Sequence, residues 1–193
     1  MVAVSLKKKG DYWNGSGQKH HWCERVGVQA TSLLSLDRLF QGMAGLVKVE
    51  GTSWTSLAAS TSNMFSSCYS LREVPLFDLS ACTSTSYMFS SCSSLREVPL
   101  FDLSACTNTS QMFSSCSSLR EVPLFDLSAC TNTSQMFSSC SSLREVTLDN
   151  MDNVTTTTNM FAGTGSIESV TLPGLRYSVS VASNQLQAAA LDA

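Results

Sequence analysis

MFSSCSSLREVPLFDLSACTNTSQ runs from Met88 to Gln111, and the same letters run again from Met112 to Gln135. The unit before them, 64–87, departs from this text at Tyr69, Ser84 and Tyr87. Met64-Phe65, Met88-Phe89, Met112-Phe113, Met136-Phe137 and Met160-Phe161 keep a constant 24-residue step. A fixed period of this length marks a solenoid: each unit is one coil that cannot bury its apolar side alone and buries it against its neighbours.

Degenerate units on either side show which positions the coil needs. Aligning Leu39-Phe40 with Met64-Phe65 pairs Met43 with Cys68, Leu46 with Leu71, Val49 with Val74 and Leu57 with Cys82, with one extra residue between Leu57 and Met64. At the far end Ile167, Val170 and Leu172 take the places of Leu143, Val146 and Leu148. Apolar character survives where the letters do not, as expected of terminal coils. Within a unit, Leu71-x-x-Val74-x-Leu76-x-x-Leu79 has the leucine-rich spacing and predicts these four side chains inward, on a short strand and its following turn. Pro75, Pro99 and Pro123 fall inside that segment and remove a ladder donor, so the strand is expected to be short or interrupted there. The stretch 83–92 is expected to return the chain as a helical turn or short helix. The prediction is an α/β solenoid, a leucine-rich repeat of about six 24-residue coils with a parallel β-strand column and short helical or irregular returns. An N-terminal cap is assigned to 1–38, the solenoid to 39–173, and a C-terminal cap strand and helix, with Asn184 as N-cap, to 174–193.

The length of 193 residues supports one such body. Charged residues are 14% of the chain, against about 25% in an average soluble domain, so Ser and Thr hydroxyls solvate much of the surface. A formal charge of −3 gives no electrostatic drive toward nucleic acid or anionic lipid, and Lys7-Lys8-Lys9 reads as a solvated strand end. Apolar runs are far short of the roughly 20 residues of a membrane span. The start Met1-Val-Ala-Val-Ser-Leu6 lacks the long apolar stretch of a secretory leader, so export by the usual route is not expected.

The elements MFSSCSSL, LREVPLFDLS and the Ser/Thr-rich return resemble the BspA-like leucine-rich repeats of bacterial surface proteins, over about residues 39–173. The run in that family is close to MF-x-x-C-x-x-L-x-x-V-P-x-F-D-T-S-x-V-T-N-M. This chain departs from it with Leu79, Leu103 and Leu127 at the Thr and with Cys82, Cys106 and Cys130 at the Val, while Val154 keeps the usual residue. The same repeats occur in structural proteins of tailed bacteriophages, followed by segments similar to Leu172-Pro173-Gly174-Leu175 and Asn184-Gln185-Leu186. The resemblance implies adhesion or recognition and no reaction. The expected function is a non-enzymatic recognition solenoid of a phage virion, in a tail fibre or head decoration, that binds a host surface or a neighbouring virion protein. The alternatives are a fragment of a bacterial cell-surface adhesin and an intracellular leucine-rich-repeat scaffold. Expected partners are a protein or cell-surface ligand, a homo-oligomer or a virion assembly, without nucleic acid, membrane insertion or cofactor.

Three charged columns are candidates for chemistry. Arg72, Arg96, Arg120 and Arg144 stack, and Glu73, Glu97, Glu121 and Glu145 stack beside them. Like charges 5 Å apart in water repel by about 0.8 kcal/mol per pair, which the neighbouring opposite column offsets. This stripe reads either as a self-neutralising surface or as the contact face of the solenoid, with Tyr69 and Tyr87 as aromatic anchors beside it. Asp78, Asp102 and Asp126 form a further column that fits either calcium or, since Asn150 follows in the same place, a turn in which the side chain accepts the N–H two residues on.

Seven of the eight cysteines recur at two positions of the unit, where the degenerate units place Leu57, Val154, Met43 and Thr164. Ligands or bridges would not be replaced in this way, so the thiols are read as buried and reduced, with oxidation along the column as the alternative. His20-His21-Trp22-Cys23 sits in an expected capping strand, where adjacent histidines face opposite ways; no metal site is assigned. No nucleophile elbow, phosphate-cradling loop or carboxylate pair appears, and an enzyme is not expected.

Overall fold

Every 24 or 25 residues the chain brings a phenylalanine ring back over the last one. Phe40, Phe65, Phe89, Phe113, Phe137 and Phe161 form a stacked column with ring centroids 5.1, 5.4, 5.6, 5.7 and 5.6 Å apart in that order. Phe77, Phe101 and Phe125 form a second column at 5.8 and 6.3 Å. The two columns touch each other through Phe65–Phe77, Phe89–Phe101 and Phe113–Phe125. This computed structural model describes the backbone of 2–13, 19–30, 35–50 and 58–175 and the side chains of 35–49 and 58–175. The core is one continuous apolar cluster running the length of the described coils, in which Met, Phe, Leu and Cys each stack on their own kind. The solenoid expected from the repeat is the architecture observed.

The strand side is where proline decides the local structure. β1 (Val2–Trp13) pairs antiparallel with β2 (Lys19–Ala30), β2 pairs parallel with β3 (Lys48–Glu50), and Lys48 bridges in parallel to Glu73. No strand then forms across 74–77 or 98–101, where Pro75 and Pro99 lack the N–H that a ladder needs. Pairing resumes after Pro123 with β4 (Phe125–Asp126), which lies parallel to β5 (Glu145–Asp149) and, through it, to β6 (Ser169–Thr171). β5 is the five-residue strand of the unit that has Thr147 in place of proline.

Leu76 was expected inward, and here the structure corrects the reading. Leu76, Leu100 and Leu124 are 62, 57 and 53% exposed, while Phe77, Phe101 and Phe125 are buried in their place. The proline-containing backbone breaks the in-out alternation of a strand, so two residues instead of one separate the inward Val98 from the inward Phe101. In β5 the alternation is restored, Val146 and Leu148 both point inward, and Leu148 stands opposite Phe125. The residue saved is recovered at Asn150, which takes the left-handed conformation (φ 54°), and Met151 then returns to the buried position of Leu127.

The return is not helical, which corrects the second expectation; among the described residues the helical turn present is a 3-10 turn at Met151–Asn153. Residues 61–71 instead make consecutive tight turns. Met64, Ser66 and Cys68 donate their N–H to the carbonyls of Thr61, Asn63 and Phe65, three residues back. Asn63, Phe65 and Ser67 donate to Ser86, Met88 and Ser90 of the next coil. A helix would need all of these bonds within the coil; here half are spent on stacking. The geometry requires a left-handed residue twice per turn segment, at Asn63, Tyr87, Gln111, Gln135 and Asn159, and at Ser67, Ser91, Ser115 and Ser139. Gly42 and Gly163 hold the second position in the degenerate units, both at φ 76°. Further on, isolated parallel bridges join Ser60, Ser84, Asn108, Asn132 and Thr156. Of the C-terminal cap strand and helix assigned to 174–193, all but Gly174 and Leu175 lie outside the described residues.

Candidate binding face

The Arg and Glu columns emerge on one surface because Leu71 and Val74, and their repeats, turn inward on either side of them. Arg72, Glu73, Arg96, Glu97, Arg120 and Glu121 together line a groove of about 410 Å³. A second groove of about 430 Å³ adjoins it and is lined by Glu73, Glu97 and Glu121 with the Val and Pro residues that follow them. The exposed Leu76, Leu100 and Leu124 follow directly in sequence. These leucines are the surface feature that the sequence reading missed, having assigned them to the core.

The ends of the charge ladders differ from the middle. Lys48 occupies the Glu column of the first coil and pairs with Glu73, and Glu168 occupies the Arg column of the last and pairs with Arg144. Each ladder of like charge is therefore closed at one end by its opposite. Among the described residues Arg96, Arg120, Glu97 and Glu121 are in no ion pair, so the middle of the stripe is left to solvent.

The two tyrosines do not line either groove. Tyr69 is half exposed on the turn that precedes Arg72. The Tyr87 hydroxyl accepts a hydrogen bond from the Gln111 side chain one coil on, and both residues stand in the left-handed column of the turn segment. The Asp column behaves as a turn element. Asp78 accepts from the Ser80 N–H at 3.1 Å and hydroxyl at 2.7 Å, and Asp102 and Asp126 accept from the N–H of Ser104 and Ser128 at 3.0 and 2.9 Å. Hydrogen bonds from the Ser80 hydroxyl and then its N–H hold the Asp78 carboxyl below its usual range; for Asp126 the leading cause is the Asn150 amide.

Both thiol columns are buried and unbridged. Cys68, Cys92, Cys116 and Cys140 each donate to the carbonyl of the Phe one coil back, Phe40, Phe65, Phe89 and Phe113, at 3.0 to 3.1 Å. Burial pushes the Cys68 and Cys140 thiols up to about 12 and those of Cys92 and Cys116 well above the usual value. Cys82, Cys106 and Cys130 lie beside Thr61, Thr85 and Thr109, whose buried hydroxyls donate to the sulfurs of Met88, Met112 and Met136. A protonated thiol packed this way is a small hydrophobe and a poor nucleophile.

On the far side of the coil the surface is hydroxyl-rich. Exposed Thr83, Thr107, Thr131 and Thr155 each donate to a carbonyl one coil back, at 3.0 to 3.1 Å. Among the described residues no helix is long and apolar enough to cross a membrane, and no group of three His, Cys, Asp or Glu is placed to hold a metal ion. The His20-His21-Trp22-Cys23 side chains lie outside the described residues.

Among solved structures, a leucine-rich repeat protein from Bacteroides ovatus ATCC 8483 is similar at 15% identity and a TM-score of 0.46, over 86% of this chain and 52% of that one. The chain thus spans about half the length of that protein. The T. pallidum leucine-rich repeat protein is similar at 14% identity and a TM-score of 0.41, over 86% of this chain and 71% of that one. No curated protein matches. A family model described as "Mycoplasma protein of unknown function, DUF285" matches residues 34–172, well over half of the sequence and the whole of the repeat array, and the chain belongs to that family.

Proposed function

We propose that this chain is a non-catalytic recognition module that meets a protein partner with its Arg–Glu face. The observation that carries the reading is the groove lined by Arg72, Glu73, Arg96, Glu97, Arg120 and Glu121, a repeated charged surface whose central residues form no ion pair among the described residues. Fixed opposite charges at a regular spacing favour orientation and specificity in a complex more than raw affinity. The inert thiols and the turn-bound Asp column support the absence of catalysis. In this reading 1–38 and 174–193 close the ends of the solenoid; the pairing of β2 with β3 supports the first assignment.

We further propose a virion, in a tail fibre or head decoration, as the carrier, on the resemblance of the repeat and of Leu172–Leu175 to phage structural proteins. A bacterial cell-surface adhesin is the second reading. Capsid or tail genes beside this one support the first, and an upstream export signal or lipobox supports the second. For the face itself, Arg96→Glu with Arg120→Glu is expected to weaken retention of the chain on its carrier or host cells while leaving the far-UV circular dichroism and melting unchanged. Undiminished retention removes the face from consideration.

A further inference from the structure

We infer that the Arg–Glu face fits a second copy of this chain, the two solenoids lying parallel about a twofold axis that runs along their length. This rests on the reading of that face as a contact surface and names its occupant. The two columns stand side by side, with Arg72, Arg96, Arg120 and Arg144 on one side and Glu73, Glu97, Glu121 and Glu145 on the other. A rotation by half a turn about an axis between them lays the Arg column of each copy over the Glu column of its partner, coil by coil. Both ladders have the repeat of the same fold, so the match holds along the whole stack whatever that repeat is. A twofold axis across the solenoid would instead set Arg against Arg, and it is disfavoured by like-charge repulsion.

The terminal charges select the register. In the aligned pair Glu73 meets Arg72, Glu97 meets Arg96, Glu121 meets Arg120 and Glu145 meets Arg144, in both directions. Slipping one copy by a coil brings Lys48 against Arg72 and Glu145 against Glu168, so each end contributes a repulsion where the aligned pair has none. The same rotation carries the edge of the face that bears Tyr69 toward the partner's edge that bears Leu76, since one precedes the Arg column in the chain and the other follows the Glu column. Both are exposed, at 50 and 62%. An apolar contact therefore flanks the ion pairs on each edge, the arrangement a contact between copies needs where rim charges alone contribute little. Nucleic acid and anionic lipid are poor fits, because the Glu column runs the length of the stripe.

The test is charge exchange on the full chain, read by sedimentation velocity and light scattering over a concentration series. Wild type is expected to associate reversibly to a dimer that weakens as salt is raised. Arg96→Glu with Arg120→Glu sets Glu against Glu97 and Glu121 and raises the dissociation constant by about a hundredfold. Glu97→Arg with Glu121→Arg does the same from the other side. An equimolar mixture of these two variants restores every opposition and is expected to form a heterodimer of wild-type affinity. Circular dichroism of each variant alone confirms folding. A wild type that is monomeric at every concentration overturns the inference, as does a mixture that stays monomeric or a reversed variant that dimerises normally. If wild type is monomeric and the reversed variant still loses carrier or host retention, the face binds another protein and only its identification as a second copy fails.

Discussion

Leu100 and Phe101 are neighbours in sequence with opposite fates, and their paired replacement tests the strand-side geometry directly. Phe101 is 1% exposed and stacks on Phe77, Phe89 and Phe125 at 5.8, 6.0 and 6.3 Å. Phe101→Ala removes a buried ring from a column that cannot collapse without moving two coils, and a cost of about 3–5 kcal/mol follows. Leu100 is 57% exposed, so Leu100→Ala forfeits less than half of the roughly 1.5–3 kcal/mol that full burial of leucine contributes, at most about 1.3 kcal/mol. The difference of about 3 kcal/mol corresponds to a melting temperature lower by roughly 6–12 °C for the Phe101 variant in a chain of this size. Urea unfolding followed by far-UV circular dichroism measures both at constant slope. Equal costs, or a larger one at Leu100, would mean that the ordinary leucine-in pattern holds and that the two-residue spacing from Val98 to Phe101 is wrong.

Cys106→Val is expected to cost less than about 1 kcal/mol in the same assay, since an apolar residue of similar volume fills the site; loss of the cooperative transition would assign the thiol an essential bond. Unfolded thiols ionise near 9 and folded Cys68 and Cys140 near 12, so stability is full below pH 9 and falls as pH rises from about 9 toward 12. In wild type that alkaline loss should exceed that of a Cys68→Val, Cys140→Val double variant, and indistinguishable curves would refute it. Asp126 is held below the usual carboxylate range, first by the Asn150 amide, so its contribution is present at neutral pH and fades as the solution is acidified; Asn150→Ala should reduce that acid-side loss. Gln135 sits at φ 55° in the column where Asn63 and Asn159 also stand, and Gln135→Asn should stabilise the chain by about 0.5 kcal/mol, measured as a higher midpoint in urea.

The resemblance to BspA-like leucine-rich repeats, drawn from residues 39–173, falls on nearly the same span as the family match at 34–172. The repeat, its period and the buried Met-Phe, Leu and Cys columns were legible because the degenerate units hold apolar residues, or the small Thr164, at the same places. The Asp turns at Asp78, Asp102 and Asp126 were legible, and each carboxylate accepts the N–H two residues on; Asn150, which suggested them, does not repeat the turn, because the register shifts by one in β5, Asp149 stands opposite Asp126 and the Asn150 amide donates to Asp126 instead. The left-handed turn positions had a signal that went unread, since Gly42 and Gly163 replace Ser67 and Ser139 at φ 76°, where glycine is least strained.

What the sequence determined by itself was the stacking. A 24-residue period with invariant apolar places admits one way of hiding those side chains, against the same residues one coil away, and it therefore also lines up Arg with Arg and Glu with Glu. What only the tertiary structure decided was the path of the backbone inside each coil. Whether Leu76 or Phe77 faces inward, and whether 83–92 closes as a helix or as turns, depends on where the N–H groups find acceptors. In this fold they find many of them on the next coil, beyond the reach of any pattern within a single repeat.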